Sequence, residues 1–268
     1  MSDREVKTWN GYAADALRER WDREEVHLYG AVASTNDVAR DLAEEGAPGG
    51  TIVVAREQTE GRGRAGKSWL SPAGGLYLSM IFRPGEVENP DLLPLLAGVG
   101  IVRSVDAAFP GLDPLLKWPN DLILDDRKAG GVLSESSRGE RRVRFLVVGV
   151  GVNVAPLPDD APPEIGERAT SLRESLGRDV EPAEVADAVI DGLEAYVPAA
   201  PARLSTAELD LVDRYDWLRD RRVRVRLPDE KEPLPGVCVG IAPDGALLFR
   251  PDRGALRRLH SAQIEAEP

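Results

Sequence analysis

A chain of 268 residues with 42% hydrophobic residues is long enough to bury a core, in one large domain or in a large and a small one. The 46 Asp and Glu residues outnumber the 34 Lys and Arg residues, and a formal net charge of −12 repels nucleic-acid backbones and anionic lipid. We therefore expect no nucleic acid and no membrane as a partner. One cysteine and two histidines exclude an internal disulfide and a structural zinc site. Because no apolar run approaches the roughly 20 residues of a membrane span, we expect a cytoplasmic protein.

The first two thirds of the chain alternate between apolar, β-prone runs and segments with helical spacing. Ser34, Thr35 and Asn36 are residue types that cap helix N-termini, and they precede an amphipathic helix. Strands are predicted at residues 26–33, 51–56, 74–84, within 115–136 and at 143–154, helices at 37–46, 92–109, 181–198 and 202–218, and a loop at 155–168. This order predicts one mixed sheet with helices packed on it.

From about Arg222 the pattern changes to short strands in which apolar and polar residues alternate. These strands are predicted at residues 223–227, 236–241, 245–250 and 254–260, with Pro-Asp-Gly at 243–245 as a turn. We therefore expect two domains, a large one at residues 1–220 and a small β-barrel at residues 221–268.

A polar, glycine-rich stretch follows the second predicted strand, and we expect it to be a mobile loop. Its residues 61–68, GRGRAGKS, satisfy both the P-loop pattern and the dinucleotide pattern G-x-G-x-x-G. Both motifs need a helix after the last glycine, and Pro72 with two glycines after it disfavours one. Two interpretations remain: a solvated basic loop, or a flexible loop whose Arg62, Arg64 and Lys67 close over a phosphate.

Four separated segments together resemble biotin protein ligases. They are Ser34-Thr35-Asn36, then Gln58 with the sequence GRGRAG at 61–66 and Trp69, then KWPND at 117–121 with DRKAG at 126–130, and then GVGVN at 149–153. The resemblance implies an α+β fold, in which a mixed β-sheet with packed helices (the biotin/lipoate ligase catalytic fold) is followed by a small SH3-like β-barrel. It also implies ATP-dependent biotinylation of a lysine on a biotin carboxyl carrier protein. That reaction passes through biotinyl-5′-AMP and releases AMP and pyrophosphate.

The resemblance also implies roles for individual residues. The biotin-binding residues would be Ser34, Thr35, Asn36, Gln58, Arg62, Gly63, Arg64 and Lys128. The ATP-binding residues would be Arg62, Arg64, Lys117, Asn120 and Asn153. Lys128 and Arg64 would be catalytic, because cations offset the repulsion between biotin's carboxylate and the phosphates of ATP. Asp121 would face Mg²⁺, which prefers hard oxygen ligands.

Each assignment has a plainer alternative. The 34–36 segment could serve only as a helix cap, Lys128 could be a solvent-facing hairpin lysine, and Asn153 could cap a turn. We interpret Trp69 and Trp118 as core residues rather than adenine-stacking ones, because a large aromatic beside a strand usually packs.

Two related functions are compatible with parts of this pattern. A lipoate ligase shares the implied fold and adenylate chemistry but would lack the paired-arginine loop and the KWPND sequence. A biotin-sensing regulator would need a DNA-binding module, and only about 26 residues precede the first predicted strand, too few for a winged helix-turn-helix. We therefore expect a ligase of the type without an N-terminal DNA-binding domain. A sheet face left free is compatible with a homodimer.

Overall fold

The computed structural model describes residues 5–83, 89–138, 143–198, 201–227, 230 and 232–266. Its strands and helices, in chain order, are β1 (Thr8–Trp9), β2 (Tyr12–Ala13), α1 (Ala14–Trp21), β3 (Val26–Val32), α2 (Thr35–Glu45), β4 (Ile52–Gln58), β5 (Leu76–Phe82), α3 (Leu93–Ala108), β6 (Leu115–Lys117), β7 (Asp121–Leu124), β8 (Arg127–Arg138), β9 (Val143–Val152), α4 (Pro163–Gly166), α5 (Leu172–Leu176), α6 (Pro182–Tyr196), α7 (Thr206–Tyr215), β10 (Arg222–Arg226), β11 (Leu234–Ile241), β12 (Leu247–Pro251), β13 (Arg257–Leu259) and β14 (Gln263–Ala266).

Among the residues that the structure describes, seven strands form the central sheet, in the order β3-β4-β5-β9-β8-β7-β6. β3 and β4 run parallel and are connected through α2, whereas every other neighbouring pair is antiparallel. At the centre, Val150 of β9 pairs with Leu78 of β5 on one side and with Val132 of β8 on the other. The predicted mixed sheet with packed helices is confirmed.

Side-chain alternation along the strands assigns the two faces of this sheet to different helices. Leu78 and Val148 belong to the large core cluster, which also contains the buried sides of α3 and α6. Val53 and Val147 belong to a smaller cluster with Ala39 of α2. Because helices cover both faces, β5 and β9 are almost entirely apolar, as strands buried on two sides must be.

Five short strands near the C-terminus pair antiparallel in the order β13-β12-β11-β10-β14. In β10, Val223 and Val225 are buried and the intervening arginines are exposed, which is the alternation of a sheet with one wet face. The predicted small SH3-like domain is confirmed, and within the described residues its strand ladder is open rather than a closed barrel. This sheet contacts the large one directly, because Trp118 Nε1 donates a hydrogen bond to the Gly245 carbonyl at 2.9 Å.

The fold departs from the prediction mainly in short elements. The N-terminal β1, β2 and α1 were not predicted, although Trp9 and Trp21 there pack edge to face at 6.3 Å. The predicted loop at 155–168 contains α4, which begins at Pro163, a position where proline is tolerated. α5 and β14 were also missed. The predicted end of the third strand at Pro84 lies outside the described residues. Within the described ranges, none of the helices combines the length and apolarity that crossing a membrane requires.

Candidate active site

A cavity of 790 Å³ lies between the central sheet and the C-terminal sheet, which is within the size range of small-molecule sites. It collects the predicted site residues from across the chain, with the exception of Asn153. Those that line it are Ser34, Thr35, Asn36, Gln58, Arg62, Gly63, Arg64, Lys117, Asn120, Asp121 and Lys128. The fold therefore brings together residues that are separated by up to 94 positions, from Ser34 to Lys128.

One end of the cavity is a buried polar pocket at the start of α2. Ser34, Thr35 and Asn36 are each at most 4% exposed. Ser34 occupies the N-cap position, yet its side chain makes no capping hydrogen bond, so capping does not account for its hydroxyl. Gln58 Oε1 accepts hydrogen bonds from the Thr35 backbone nitrogen at 2.9 Å and from Thr35 Oγ1 at 3.1 Å. These contacts fix donors and acceptors in the wall of the pocket.

Ser79 of β5 completes this network from beneath, and sequence reasoning missed it because it lies inside an apolar strand. Its Oγ lies 2.8 Å from Thr35 Oγ1 and 2.7 Å from Asn36 Oδ1. Gly149 of β9 makes room for the same amide, since a Cβ atom there would lie 2.0 Å from Asn36 Oδ1. Gly149, in the GVGVN segment, thus admits the Asn36 side chain of α2 to the sheet surface.

The glycine-rich loop forms a small closed turn beside this pocket. The Gly63 backbone nitrogen donates to the Lys67 carbonyl at 2.7 Å, and the Trp69 nitrogen donates to the Gly61 carbonyl at 2.7 Å. A single 3₁₀ turn spans Arg64–Gly66, and the chain then continues in extended conformation rather than as a helix. This confirms that neither the P-loop nor the dinucleotide pattern is a true motif here, because both need a helix N-terminus at this point.

The two arginines of the loop have different surroundings. Arg62 pairs with two carboxylates, at 2.8 Å from Asp37 and 3.1 Å from Glu135. Arg64 is half-buried and, among the described residues, its side chain has no hydrogen bond or ion pair. Burial lowers the pKa of Arg64, while the negative charge of Asp121 acts in the opposite direction. Arg64 also lines a neighbouring cavity of 320 Å³, so this residue lies between two cavities.

Lys128 lines the same cavity beside Asp121 and Trp69, in the part that we call its cationic end. Its Nζ is 2.7 Å from Asp121 Oδ1 and 5.2 Å from the centre of the Trp69 ring. Its backbone pairs with the segment 168–170, with its nitrogen donating to the Arg168 carbonyl at 2.8 Å and its own carbonyl accepting from the Thr170 nitrogen at 3.0 Å, and it lies opposite Ile123 of β7 on the other side. A lysine held in this way is not a free hairpin residue in solvent.

Asn153 does not line the cavity. Its side chain is buried, and its Nδ2 donates to the Thr170 carbonyl at 3.0 Å. Since Thr170 also pairs with the Lys128 backbone, Asn153 supports the segment that holds Lys128. Its predicted ATP contact stays a prediction.

Lys117 and Asn120, which the sequence predicts to bind ATP, line the same cavity. Lys117 Nζ donates to the Ile264 carbonyl of β14 at 3.0 Å and lies 5.3 Å from the Trp217 ring centre. Burial lowers the pKa of Lys117, and the neighbouring cations, Lys128 among them, act in the same direction. Asn120 Nδ2 donates to the Val132 carbonyl at 2.8 Å, which fixes the turn between β6 and β7.

The two tryptophans of the site differ. Trp118 is 6% exposed and belongs to the core, as predicted. Both tryptophans line the cavity, but Trp69 is only partly buried and belongs to neither core cluster, so its interpretation as a core residue is wrong. A Cβ atom on Gly151 would lie 2.5 Å from Trp69 Nε1, which shows how closely the indole lies on the sheet. Its Nε1 is buried and has no hydrogen-bond partner in the described residues.

Three further cations line the cavity: Lys67, which one interpretation of the loop placed over a phosphate, and Arg168 and Arg226, which were not assigned to the site from the sequence. Arg168 lies in the stretch predicted as a loop and Arg226 in the C-terminal domain, so no local pattern placed them at the site. Although the net charge of the chain is −12, seven Lys and Arg residues line this cavity against three acidic residues, Asp121, Glu230 and Glu265, and this excess of positive charge suits a polyanion.

Comparisons with known proteins agree with this geometry. The family model described as Biotin/lipoate A/B protein ligase family matches residues 29–153. The bifunctional ligase/repressor BirA of Bacillus spizizenii is 34% identical over 236 residues, which cover 87% of this chain and 71% of that protein. The biotin–[acetyl-CoA-carboxylase] ligase of Paracoccus denitrificans is 33% identical over 228 residues, which cover 82% of this chain and 92% of that protein.

A solved structure is similar over most of the chain. The biotin protein ligase from Aquifex aeolicus, in complex with biotin and ATP, superimposes with a TM-score of 0.76 at 29% sequence identity. The match covers 91% of this chain and 100% of that one, so it includes both the central sheet and the C-terminal sheet.

Proposed function

The chain belongs to the biotin/lipoate A/B protein ligase family, and from that premise we propose that it joins biotin to a lysine of a carrier protein at the expense of ATP. The intermediate is biotinyl-5′-AMP, and AMP and pyrophosphate are released. The observation that carries the proposal is the continuity of one cavity from the buried polar pocket at Thr35 and Asn36 to the cations Arg64 and Lys128. Such a cavity suits a ligand with a neutral hydrogen-bonding ring in the polar pocket and a carboxylate that reacts with a phosphate beside the cations.

The polar pocket takes the ureido ring of biotin. This ring presents N–H donors and one carbonyl acceptor, and it needs matched partners in a dry environment. Ser34 supplies a hydroxyl with no capping role, while Thr35 and Asn36 are held by Gln58 and Ser79. The pocket is thereby organised before the ligand arrives, which lowers the cost of binding.

The first chemical step takes place at the cationic end. A carboxylate oxygen of biotin attacks the α-phosphorus of ATP, the new P–O bond forms, and the bond to the β-phosphate oxygen breaks with release of pyrophosphate. Two anions must meet, so the barrier depends on positive charge fixed near the phosphorus. Lys128 and Arg64 supply that charge, and Lys117, Arg168 and Arg226 face the remaining phosphates.

Mg²⁺ fits this arrangement as a companion of the nucleotide. Mg²⁺ in nucleotide sites is held by one or two carboxylates together with phosphate oxygens and water. Within the described residues there is no cluster of three or more His, Cys, Asp or Glu side chains for a metal, which agrees with a cation that arrives with ATP. Asp121, which lines the cavity beside Lys128, would hold it, and the ion would neutralise phosphate charge.

In the second step the ε-amino group of the carrier lysine attacks the biotinyl carbonyl, an amide bond forms and AMP leaves. The relative from Paracoccus denitrificans bears the name of an acetyl-CoA-carboxylase ligase, so a biotin carboxyl carrier protein is the expected acceptor.

We propose that catalysis resides in residues 1–220 and that residues 221–268 close the cavity. We further propose a cytoplasmic enzyme that needs no nucleic acid, and a homodimer stays a prediction.

Gly149→Ala is expected to raise the KM for biotin about tenfold, because the added methyl forces Asn36 off the sheet, and overpacking of this kind costs about 1–3 kcal/mol. Gly166→Ala is the matched control, since its methyl meets open space. Steady-state pyrophosphate release against biotin concentration measures the effect. An unchanged KM in Gly149→Ala would contradict the placement of biotin beside Asn36.

Thermal unfolding tests the proposed function on the unmodified protein. Biotin and Mg·ATP together are expected to raise the Tm by several degrees more than either alone, because a ligand at about 100 times its Kd adds about 2.7 kcal/mol and the adenylate occupies both subsites. GTP in place of ATP is the nucleotide control. A larger Tm shift with lipoate than with biotin would instead favour a lipoate ligase.

A further inference from the structure

Glu135 of β8 lies where the glycine-rich loop, α2 and the central sheet meet, and no sequence motif singled it out. Its Oε2 accepts a hydrogen bond from Asn36 Nδ2 at 2.8 Å and another from Arg62 Nη2 at 3.1 Å. Its Oε1 lies 3.3 Å from the same nitrogen of Arg62. One carboxylate therefore contacts both a wall of the polar pocket and the loop beside it.

Asp37 holds Arg62 from a second direction. Arg62 Nη1 is 2.8 Å from each of the two Asp37 carboxylate oxygens. Asp37 lies in the first turn of α2, next to the buried Asn36. Both terminal nitrogens of the Arg62 guanidinium are thus occupied by carboxylates, and a phosphate that approached Arg62 would meet the negative charge of Asp37 and Glu135 first.

Arg64, two residues later in the loop, differs from Arg62 in its partners. It is half-buried, lines two cavities and has no ion pair within the described part of the chain. Burial of a guanidinium without a partner is unfavourable, so this position is suited to an anionic ligand that supplies the missing charge.

We infer that the two loop arginines have separate tasks, an inference that rests on the proposed function. Arg62 is an anchor that ties the loop to α2 and β8, and Arg64 is the arginine that contacts the adenylate. Glu135 is a positioning residue, because it acts through Arg62 and Asn36 and does not contact the reacting atoms. On this assignment Arg62 makes no direct contact with ATP through its guanidinium.

The anchor explains how a loop rich in glycine can hold Arg64 at a defined place. Gly61, Gly63 and Gly66 leave the loop backbone with many accessible conformations, and order in the loop must come from contacts outside it. The Arg62 ion pairs supply such contacts at the start of the loop. Glu135→Gln keeps the shape and an oxygen that can accept from Asn36, but it removes the charge that holds Arg62.

The rate of trypsin cleavage between Lys67 and Ser68, in the absence of substrates, measures how firmly Arg62 holds the loop and does not depend on catalysis. We expect Glu135→Gln and Arg62→Gln each to speed this cleavage about threefold to fivefold, the range that a partly exposed ion pair allows. The double variant should be cleaved no faster than the faster single variant, because both changes break the same ion pair between Glu135 and Arg62. Arg40→Gln is the matched control, since Arg40 also pairs with Asp37, at 2.7 Å, but lies outside the loop.

Activity provides the second readout. Glu135→Gln should raise the KM for biotin and increase the labelling of bystander protein, while the Tm stays near that of the wild type. Glu135→Asp keeps the charge, so its KM and its labelling should lie between those of Glu135→Gln and the wild type. Cleavage of Glu135→Gln at the wild-type rate, or a double variant whose rate is the product of the two single effects, would overturn the inference. A wild-type protein that releases no pyrophosphate with biotin would refute the proposed function instead, and the cleavage rates would still decide whether Arg62 is anchored.

Discussion

Replacement of Lys128 by alanine is expected to slow biotinyl-AMP formation by about 10²- to 10³-fold, the usual cost of removing one charge-stabilising group from a transition state. Negative charge builds on the α-phosphate as biotin's carboxylate attacks it, and the Lys128 ammonium lies at the cationic end of the cavity. The segment 168–170 on one side and β7 on the other hold its backbone, so the neighbouring chain does not depend on its side chain.

The fold of the Lys128→Ala protein should remain intact. Its pair with Asp121 is partly exposed and contributes at most about 1 kcal/mol. Arg127→Ala is the matched control, because its side chain donates to the Ala169 carbonyl and does not line the cavity. Single-turnover formation of radiolabelled biotinyl-AMP gives the rate, and circular dichroism verifies the fold. Wild-type rates in Lys128→Ala would refute its catalytic role.

Arg64→Gly is expected to form biotinyl-AMP but to release it, so that labelling of bystander protein rises about tenfold or more. A charge-assisted contact to the adenylate is lost, and about 1.4 kcal/mol corresponds to a tenfold change in its dissociation. Free biotinyl-AMP is a mixed anhydride and acylates any lysine it meets. Biotin incorporated into added serum albumin, read on a blot after a fixed time, measures the escape.

A control must separate the lost charge from the added flexibility of glycine. Ala65→Gly adds the same flexibility at the next residue, whose φ of +55° glycine adopts without strain, and it removes no charge. We expect Ala65→Gly to label bystander protein as weakly as the wild type does. Equal labelling by Arg64→Gly and the wild type, or strong labelling by Ala65→Gly, would show that the Arg64 charge does not retain the intermediate.

Local patterns predicted the long elements of this fold well. The apolar run at 143–154 and the helical spacing at 92–109 report burial directly, and the structure has β9 and α3 there. The motif residues also meet in one cavity, because the segments that carry them lie in or beside strands of a single sheet. Short elements such as β14 were missed, since four residues carry too little periodicity and their pairing with β10 is set by tertiary contacts.

The parts of the site that sequence reasoning missed depend on distant packing. Ser79 looks like one polar residue in an apolar strand, and only its position beneath α2 gives it two polar partners. Glu135 follows the DRKAG segment in β8, but its role depends on a loop about seventy residues earlier reaching it. Asn153 belongs to the GVGVN segment but does not line the cavity, and its side-chain amide donates to the Thr170 carbonyl instead.

The products of ATP test the central claim most directly. With biotin, Mg²⁺ and a biotin carboxyl carrier protein, we expect AMP and pyrophosphate in equal amounts over many turnovers. Without the carrier, we expect about one equivalent of pyrophosphate per enzyme, with the AMP moiety retained in biotinyl-AMP. Anion-exchange chromatography of radiolabelled nucleotide resolves AMP from ADP in one run. ADP formed without biotin would instead indicate transfer of the γ-phosphoryl group and would contradict the assignment of this cavity to adenylate chemistry.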